Sequence, residues 1–143
     1  MIVKEAMTRD VVTVTPQTTV ESAASQMKRR NVGILPVTEG QRAVGMLTDR
    51  DIVLRSSAEG MDPRSTVVKE IMTPRVIDCM ETESVEEAGR IMEKNRVRRV
   101  VVTNQAGAVV GMISLADLAK KVRNPVLTND VVRGISTVQP KEP

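Results

Sequence analysis

Apolar positions along the chain switch between two spacings. Val11-Val12-Thr13-Val14 is a short β-branched run and predicts a strand. Val20, Ala23, Ala24 and Met27 then recur at three- and four-residue steps, which places them on one face of a helix. Thr18 with Glu21 fits the reciprocal box that starts such a helix. Two more β-prone runs, 34–38 and 43–47, flank Glu39-Gly40 and predict a hairpin. A second helix is expected over 48–57.

The same order returns further along. Val3-Lys4-Glu5-Ala6-Met7-Thr8 reappears as Val68-Lys69-Glu70-Ile71-Met72-Thr73, and Val44-Gly45-Met46 as Val110-Gly111-Met112. With one single-residue gap, 17 of 46 aligned positions are identical, so the chain carries an internal repeat. In the second copy the strand is expected over 76–79, and the helix around Val85, Ala88, Gly89 and Met92, with Ser84 and Glu87 as its box. That box stands one residue out of step with Thr18 and Glu21. The hairpin is expected over 97–103 and 108–113, and the last helix over 114–123.

Each copy therefore reads strand, helix, strand, strand, helix. The expected fold class is α+β: two tandem β-α-β-β-α units packed with pseudo-twofold symmetry, because so small a sheet has an apolar face left to bury. The expected boundaries are 1–60 and 61–123. Gly60, Asp62, Pro63 and Ser65 mark a connecting turn. Residues 124–143 read as a partly disordered C-terminal extension in which Val131, Val132 and Ile135 are the candidates for packing.

Composition narrows the chemistry. The 143 residues include no Phe, Tyr, Trp or His and one Cys. The core must be aliphatic, and Met7, Met27, Met72 and Met92 belong to it or to a pocket wall. Without aromatic platforms, nucleic-acid binding is disfavoured despite a net charge of +3 and the run Arg96, Arg98, Arg99. Without His or a second Cys, no metal site and no nucleophile–base pair is expected. The chain reads as no enzyme, with no catalytic residues, and Cys79 as inert. No signal peptide or membrane-length apolar run stands in the sequence, so a cytoplasmic protein without a membrane partner is expected.

Met-Thr, strand, helix, Pro36-Val37, hairpin and then Gly-x-x-Thr/Ser-x-x-Asp resemble the CBS-domain family, over roughly residues 1–122, and the pair resembles a Bateman module. Asp49-Arg50-Asp51-Ile52-Val53 and residues 59–64 resemble its small stand-alone bacterial or archaeal members. The resemblance implies a regulatory or sensory module, with no cofactor of its own. Its ligand would be an adenosine derivative such as AMP, ADP, ATP or S-adenosylmethionine, held in clefts between the copies. It further implies a homodimer and a regulated partner protein that the sequence does not identify. On the matching positions, Asp51 and Asp117 would hold ribose hydroxyls, and Thr48 and Ser114 would meet phosphate. Segments 8–12, 34–36, 73–77 and 99–101 would line the adenine pockets, among them Thr8, Val12, Ile34, Pro36, Thr73, Ile77 and Val101. Val101 departs from the family by standing where Pro36 stands in the first copy.

The residues themselves support both a binding and a structural reading. Gly45 and Gly111 end strands before a helix start, where a missing side chain permits close approach, and such a start favours an anion. A carboxylate can accept two bonds from a vicinal diol. Arg98 and Arg99 are the expected phosphate partners, only one of them facing any given site because strand residues alternate. Ser/Thr-x-x-Asp is equally a helix-capping device.

Overall fold

In the computed structural model, which describes residues 1–122 and 125–136, the periodicities become these elements. The first half holds α1 (Val3–Ala6), α2 (Val20–Arg30), β1 (Ile34–Glu39), β2 (Arg42–Thr48) and α3 (Asp49–Asp51), which widens into a π-helical turn over Ile52–Ser57. The second half begins with a 3-10 turn over Val68–Glu70. It continues with β3 (Asp78–Met80), α4 (Val85–Asn95), β4 (Arg99–Thr103), β5 (Val109–Ser114) and α5 (Leu115–Asp117), which likewise widens over Leu118–Val122. The last element is α6 (Pro125–Ser136).

The main helices start and stop by matching devices. Thr19 caps α2 by accepting from Ser22 N–H, and Ser84 caps α4 by accepting from Glu87 N–H. The cap expected at Thr18 is thus corrected by one residue, which puts both copies in step. Thr18 instead turns its hydroxyl back to accept from Thr15 N–H at 3.0 Å. Both helices end on a left-handed residue, Asn31 at φ 53° and Arg96 at φ 55°.

The chain divides into two compact units, and the division does not follow the repeat. One unit is residues 12–76. The other joins residues 1–11 to the described residues from 77 to 136. Each copy's leading Met-Thr segment therefore belongs to the unit built around the other copy's hairpin. In the first unit Thr73 exchanges two backbone bonds with Met46 at 2.9 Å each. In the second, Thr8 does the same with Met112, at 2.8 and 3.0 Å.

Both hairpins are antiparallel with a register shift at equivalent places, Val37/Thr38 and Val102/Thr103. The strand before α2 is where the copies differ. Residues 11–14 were expected to be extended and paired, yet only Val14 forms a bridge, to Val37. The expected 76–79 is shifted to Asp78–Met80, paired in parallel with β4. Two prolines explain the shorter pairing. Val101 N–H donates to Ile77 C=O at 3.0 Å and Glu81 N–H to Thr103 C=O at 2.9 Å. The matching positions of the first copy are Pro36 and Pro16, which have no N–H to give.

The cores are aliphatic throughout. In residues 12–76, Leu35, Leu47, Val68 and Ile71 are essentially sealed, with Met27 and Val20 beside them. In the other unit, Val3, Met92, Val100, Ile113 and Leu118 fill the same role. Each such side chain contributes about 1.5–3 kcal/mol by leaving water. Met7 and Met92 lie in that core, Met27 in its counterpart, and Met72 packs against it.

α6 was not foreseen as a helix. Val131 and Ile135 are buried in the second core while Val132 is exposed, a helical i, i+4 stripe. Gly134 faces α4 so closely that a Cβ there would overlap the Glu93 side chain. The looseness expected of the last six residues, 138–143, falls outside the described residues. Among the described residues no helix is long and apolar enough to cross a membrane.

Candidate functional site

β2 and β5 each end on the hydroxyl residue that opens the next helix. In the first copy Asp51 N–H donates to Thr48 Oγ1 at 3.0 Å and Thr48 N–H donates to Asp51 Oδ2 at 2.9 Å. In the second, Asp117 N–H donates to Ser114 Oγ at 3.1 Å and Ser114 N–H to Asp117 Oδ2 at 3.0 Å. The Ser/Thr-x-x-Asp motif is therefore a complete capping box in both places, and it occupies one oxygen of each carboxylate.

The second oxygen distinguishes the copies. Asp51 is 1 % exposed, and its Oδ1 is buried with no hydrogen-bond partner. Thr73 Oγ1, in the same unit, is the other buried side-chain polar atom without a partner among the described residues. Unpaired buried polar atoms are costly and need a reason. Asp117 is half-buried rather than sealed.

A basic residue one turn on accompanies each carboxylate. Arg55 Nε stands 3.9 Å from Asp51 Oδ1, and Lys121 Nζ 4.0 Å from Asp117 Oδ1. Arg55 Nη1 also donates to the carbonyls of Ile71 and Met72 at 3.4 Å, and Lys121 Nζ to that of Ala6 at 3.0 Å. Each thus ties its carboxylate's helix to the crossing Met-Thr segment. Neither residue stands out in the sequence by itself. Their signal was an Asp followed four positions later by a base in both copies.

The strand-end glycines are explained by that crossing. A Cβ on Gly45 would lie 2.8 Å from Thr73 O and 2.9 Å from Met72 Sδ. On Gly111 it would lie 2.7 Å from Thr8 O and 2.8 Å from Met7 Sδ. The close approach expected of a ligand at these glycines is thus made by the chain itself.

The expected site residues fall into two sets. Val12, Ile34, Pro36, Gly45, Thr48, Asp51 and Thr73 lie in the first unit. Thr8, Ile77, Arg98, Arg99, Val101, Gly111, Ser114 and Asp117 lie in the second. The segments 8–12 and 73–77, expected among the linings of the adenine pockets, are split between the units at 11/12 and 76/77. Pro36 and Val101 are both buried, and Ile34 is half-buried.

Arg98 and Arg99 are both exposed, where alternation predicted opposite faces. The reason is that β4 begins only at Arg99, so Arg98 is not under the strand's alternation. Both flank the second box: Arg99 pairs with Ser114, and Arg98 C=O accepts from Leu115 N–H at 2.8 Å. Arg96 is spent on the left-handed end of α4.

Cys79 is a core residue, 4 % exposed. Burial first, then the carboxylates of Glu83, Asp78 and Glu87, push its thiol up to about 12 from an ordinary 9.0. It remains a thiol at neutral pH. Among the described residues, no group of three or more His, Cys, Asp or Glu gathers as metal ligands would.

Known proteins resemble this chain in sequence and fold. CBS domain-containing protein YhcV of Bacillus subtilis is 43 % identical over 117 residues, 82 % of each chain. Hypoxic Response Protein I, in a crystal structure with two coordinated zinc ions, matches at TM-score 0.77 and 32 % identity, covering 85 % of this chain and 98 % of that one. The CBS domain pair of protein MJ0100, in complex with 5-methylthioadenosine and S-adenosyl-L-methionine, matches at TM-score 0.73 and 26 % identity, covering 84 % and 98 %. The CBS domain family matches residues 3–57 and again 68–124. A duplicated hairpin, a capping box after each and a crossing Met-Thr segment beside each are what those two matches span, and the chain belongs to the CBS-domain family as a tandem pair.

Proposed function

We propose that this chain is a regulatory or sensory module whose signal is an adenosine-containing ligand held at the ends of β2 and β5. The observation that carries the reading is Asp51 Oδ1, a buried carboxylate oxygen that makes no hydrogen bond and has only the Arg55 guanidinium at 3.9 Å for company. A ribose diol offers two hydroxyl donors to such an oxygen. Thr73 Oγ1 adds a second unpartnered group to the same unit. The adenosine ligands in the MJ0100 CBS pair support the class.

The mechanism follows from the crossing segments. A ligand that bonds Asp51 competes with Arg55 for the same oxygen, and Arg55 holds the carbonyls of Ile71 and Met72. Occupancy therefore bears on how firmly the Met-Thr segment is tied down. A ligand can shift a conformation only by binding its two states unequally, and this shared carboxylate supplies the inequality.

Isothermal titration and thermal-shift assays of the full chain against AMP, ADP, ATP and S-adenosylmethionine test the reading. Saturable heat and a raised melting temperature with at least one of them are expected. Silence from all four at millimolar concentration contradicts it.

A further inference from the structure

Matching positions of the two copies carry different charge around otherwise equal boxes. Gly33 corresponds to Arg98, Ile34 to Arg99, Asp49 to Leu115, Arg50 to Ala116 and Arg55 to Lys121. Around Asp51 there are thus two acids and two bases. Around Asp117 there are one acid and three bases.

The difference is built into the backbone on the first side. Gly33 C=O accepts from Asp49 N–H at 2.9 Å, as Arg98 C=O accepts from Leu115 N–H at 2.8 Å. A Cβ on Gly33 would lie 2.8 Å from Asp49 Oδ2. The Asp49 carboxylate therefore occupies the place where an arginine in the manner of Arg98 would leave the chain. The first copy has exchanged a cation for an anion there, and a side chain at residue 33 would require the exposed Asp49 carboxylate to turn aside.

The unpartnered group has the same preference. Asp51 Oδ1 is buried with no hydrogen bond, its ion-pair neighbour Arg55 Nε standing 3.9 Å away, so it accepts a hydroxyl and disfavours a further anion. In the second copy, Arg98 and Arg99 are exposed beside the box, and neither forms an ion pair among the described residues.

Building on the nucleotide-sensor reading, we propose that the two sites are selective by ligand charge. The Asp51 site takes a nucleoside whose 5′ end carries no phosphate: neutral, or cationic as in a sulfonium. The Asp117 site takes the phosphorylated, anionic form. One chain then binds two forms of the adenosine skeleton, one at each box.

The test is a matrix of titrations on the full chain with two probes, adenosine and ATP. The wild type is compared with Asp51→Asn, Arg98→Gln, Arg99→Gln and the double variant Gly33→Arg/Asp49→Leu. Arg98 and Arg99 are exposed, so their variants keep the fold and keep the proposal falsifiable even if Asp51→Asn unfolds. Adenosine affinity is expected to fall about tenfold or more in Asp51→Asn and to stay unchanged in both arginine variants. ATP affinity is expected to fall about tenfold in at least one arginine variant, to weaken with added salt, and to stay unchanged in Asp51→Asn. The double variant is expected to gain a second ATP per chain. ATP binding that depends on Asp51 and ignores both arginines overturns charge selection while leaving the sensor reading intact. Wild-type protein that binds neither probe overturns charge selection, and the sensor reading falls with it only if AMP, ADP and S-adenosylmethionine are silent as well.

Discussion

Single residues do two jobs at each site, and variants can separate them. The box uses Asp51 Oδ2 and leaves Oδ1 without a hydrogen bond, so Asp51→Asn keeps an oxygen for Thr48 N–H and removes the charge that faces Arg55. The expected loss of stability is about 0.5–2 kcal/mol, which a cooperative urea melt measures and a domain of ordinary stability survives. Gly45→Ala or Gly111→Ala acts differently, because the added methyl meets a backbone carbonyl that cannot swing aside. Overpacking of this kind costs about 1–3 kcal/mol, read as a lower urea midpoint at unchanged slope. Cys79 gives a pH signature. Its folded value, raised to about 12 from 9.0, means that the unfolded chain loses the proton first. The contribution is fully present below pH 9 and fades as pH rises toward 12, at up to about 1.4 kcal/mol per pH unit. Cys79→Ala is expected to flatten that slope, and an equal slope in both proteins would contradict the burial of the thiol.

Elements formed where sequence spacing is local and shifted where pairing is remote. α2 and α4 follow directly from their apolar stripes, and the duplicated cap at Thr19 and Ser84 needed only a one-residue correction. The strand before α2 could not be read from Val11-Val12-Thr13-Val14 alone. Whether those residues pair is decided by N–H groups 22 or more residues away, and Pro36 withholds one of them. α6 was obscured by Pro125 and Gly134, read as breakers. Pro125 is the first residue of the helix, where no N–H is needed, and Gly134 is the face that lets α4 approach. Ile135→Ala is expected to cost about 2 kcal/mol, and a melting temperature equal to wild type would show that α6 adds nothing to the second core. Arg96 carries a left-handed backbone that Asn tolerates better. Arg96→Asn is therefore expected to stabilise α4 by up to about 1 kcal/mol, raising the melting temperature by about 2–4 °C.

At the scale of the whole molecule, the repeat was legible and the exchange of leading segments was not. Nothing local in Val3–Thr8 says that its partner is Met112, more than a hundred residues on. The candidate site shows the same limit. Thr48, Asp51, Ser114 and Asp117 were identifiable by their spacing, whereas Arg55 and Lys121 acquire meaning only once their carbonyl partners on the crossing segments are known. We propose that the chain forms a homodimer. Val53 is 57 % exposed and Leu54 40 % exposed, together on the turn after α3, apolar surface of the kind that association covers. Light scattering is expected to give twice the chain mass of 15.6 kDa, and Val53→Glu/Leu54→Glu to lower it. A mass of one chain at high concentration, with and without nucleotide, contradicts this.

The most direct test of the sensor reading is titration of the Asp51→Asn/Asp117→Asn double variant with whichever adenosine compound binds the wild type, run beside a thermal melt. Loss of a charged acceptor for a ribose hydroxyl costs about 1.5–3 kcal/mol at a site, so affinity should fall roughly ten- to a hundredfold while unfolding stays cooperative. Unchanged affinity in a folded double variant would mean that both carboxylates serve only to cap their helices, and the sensor reading would lose its foundation.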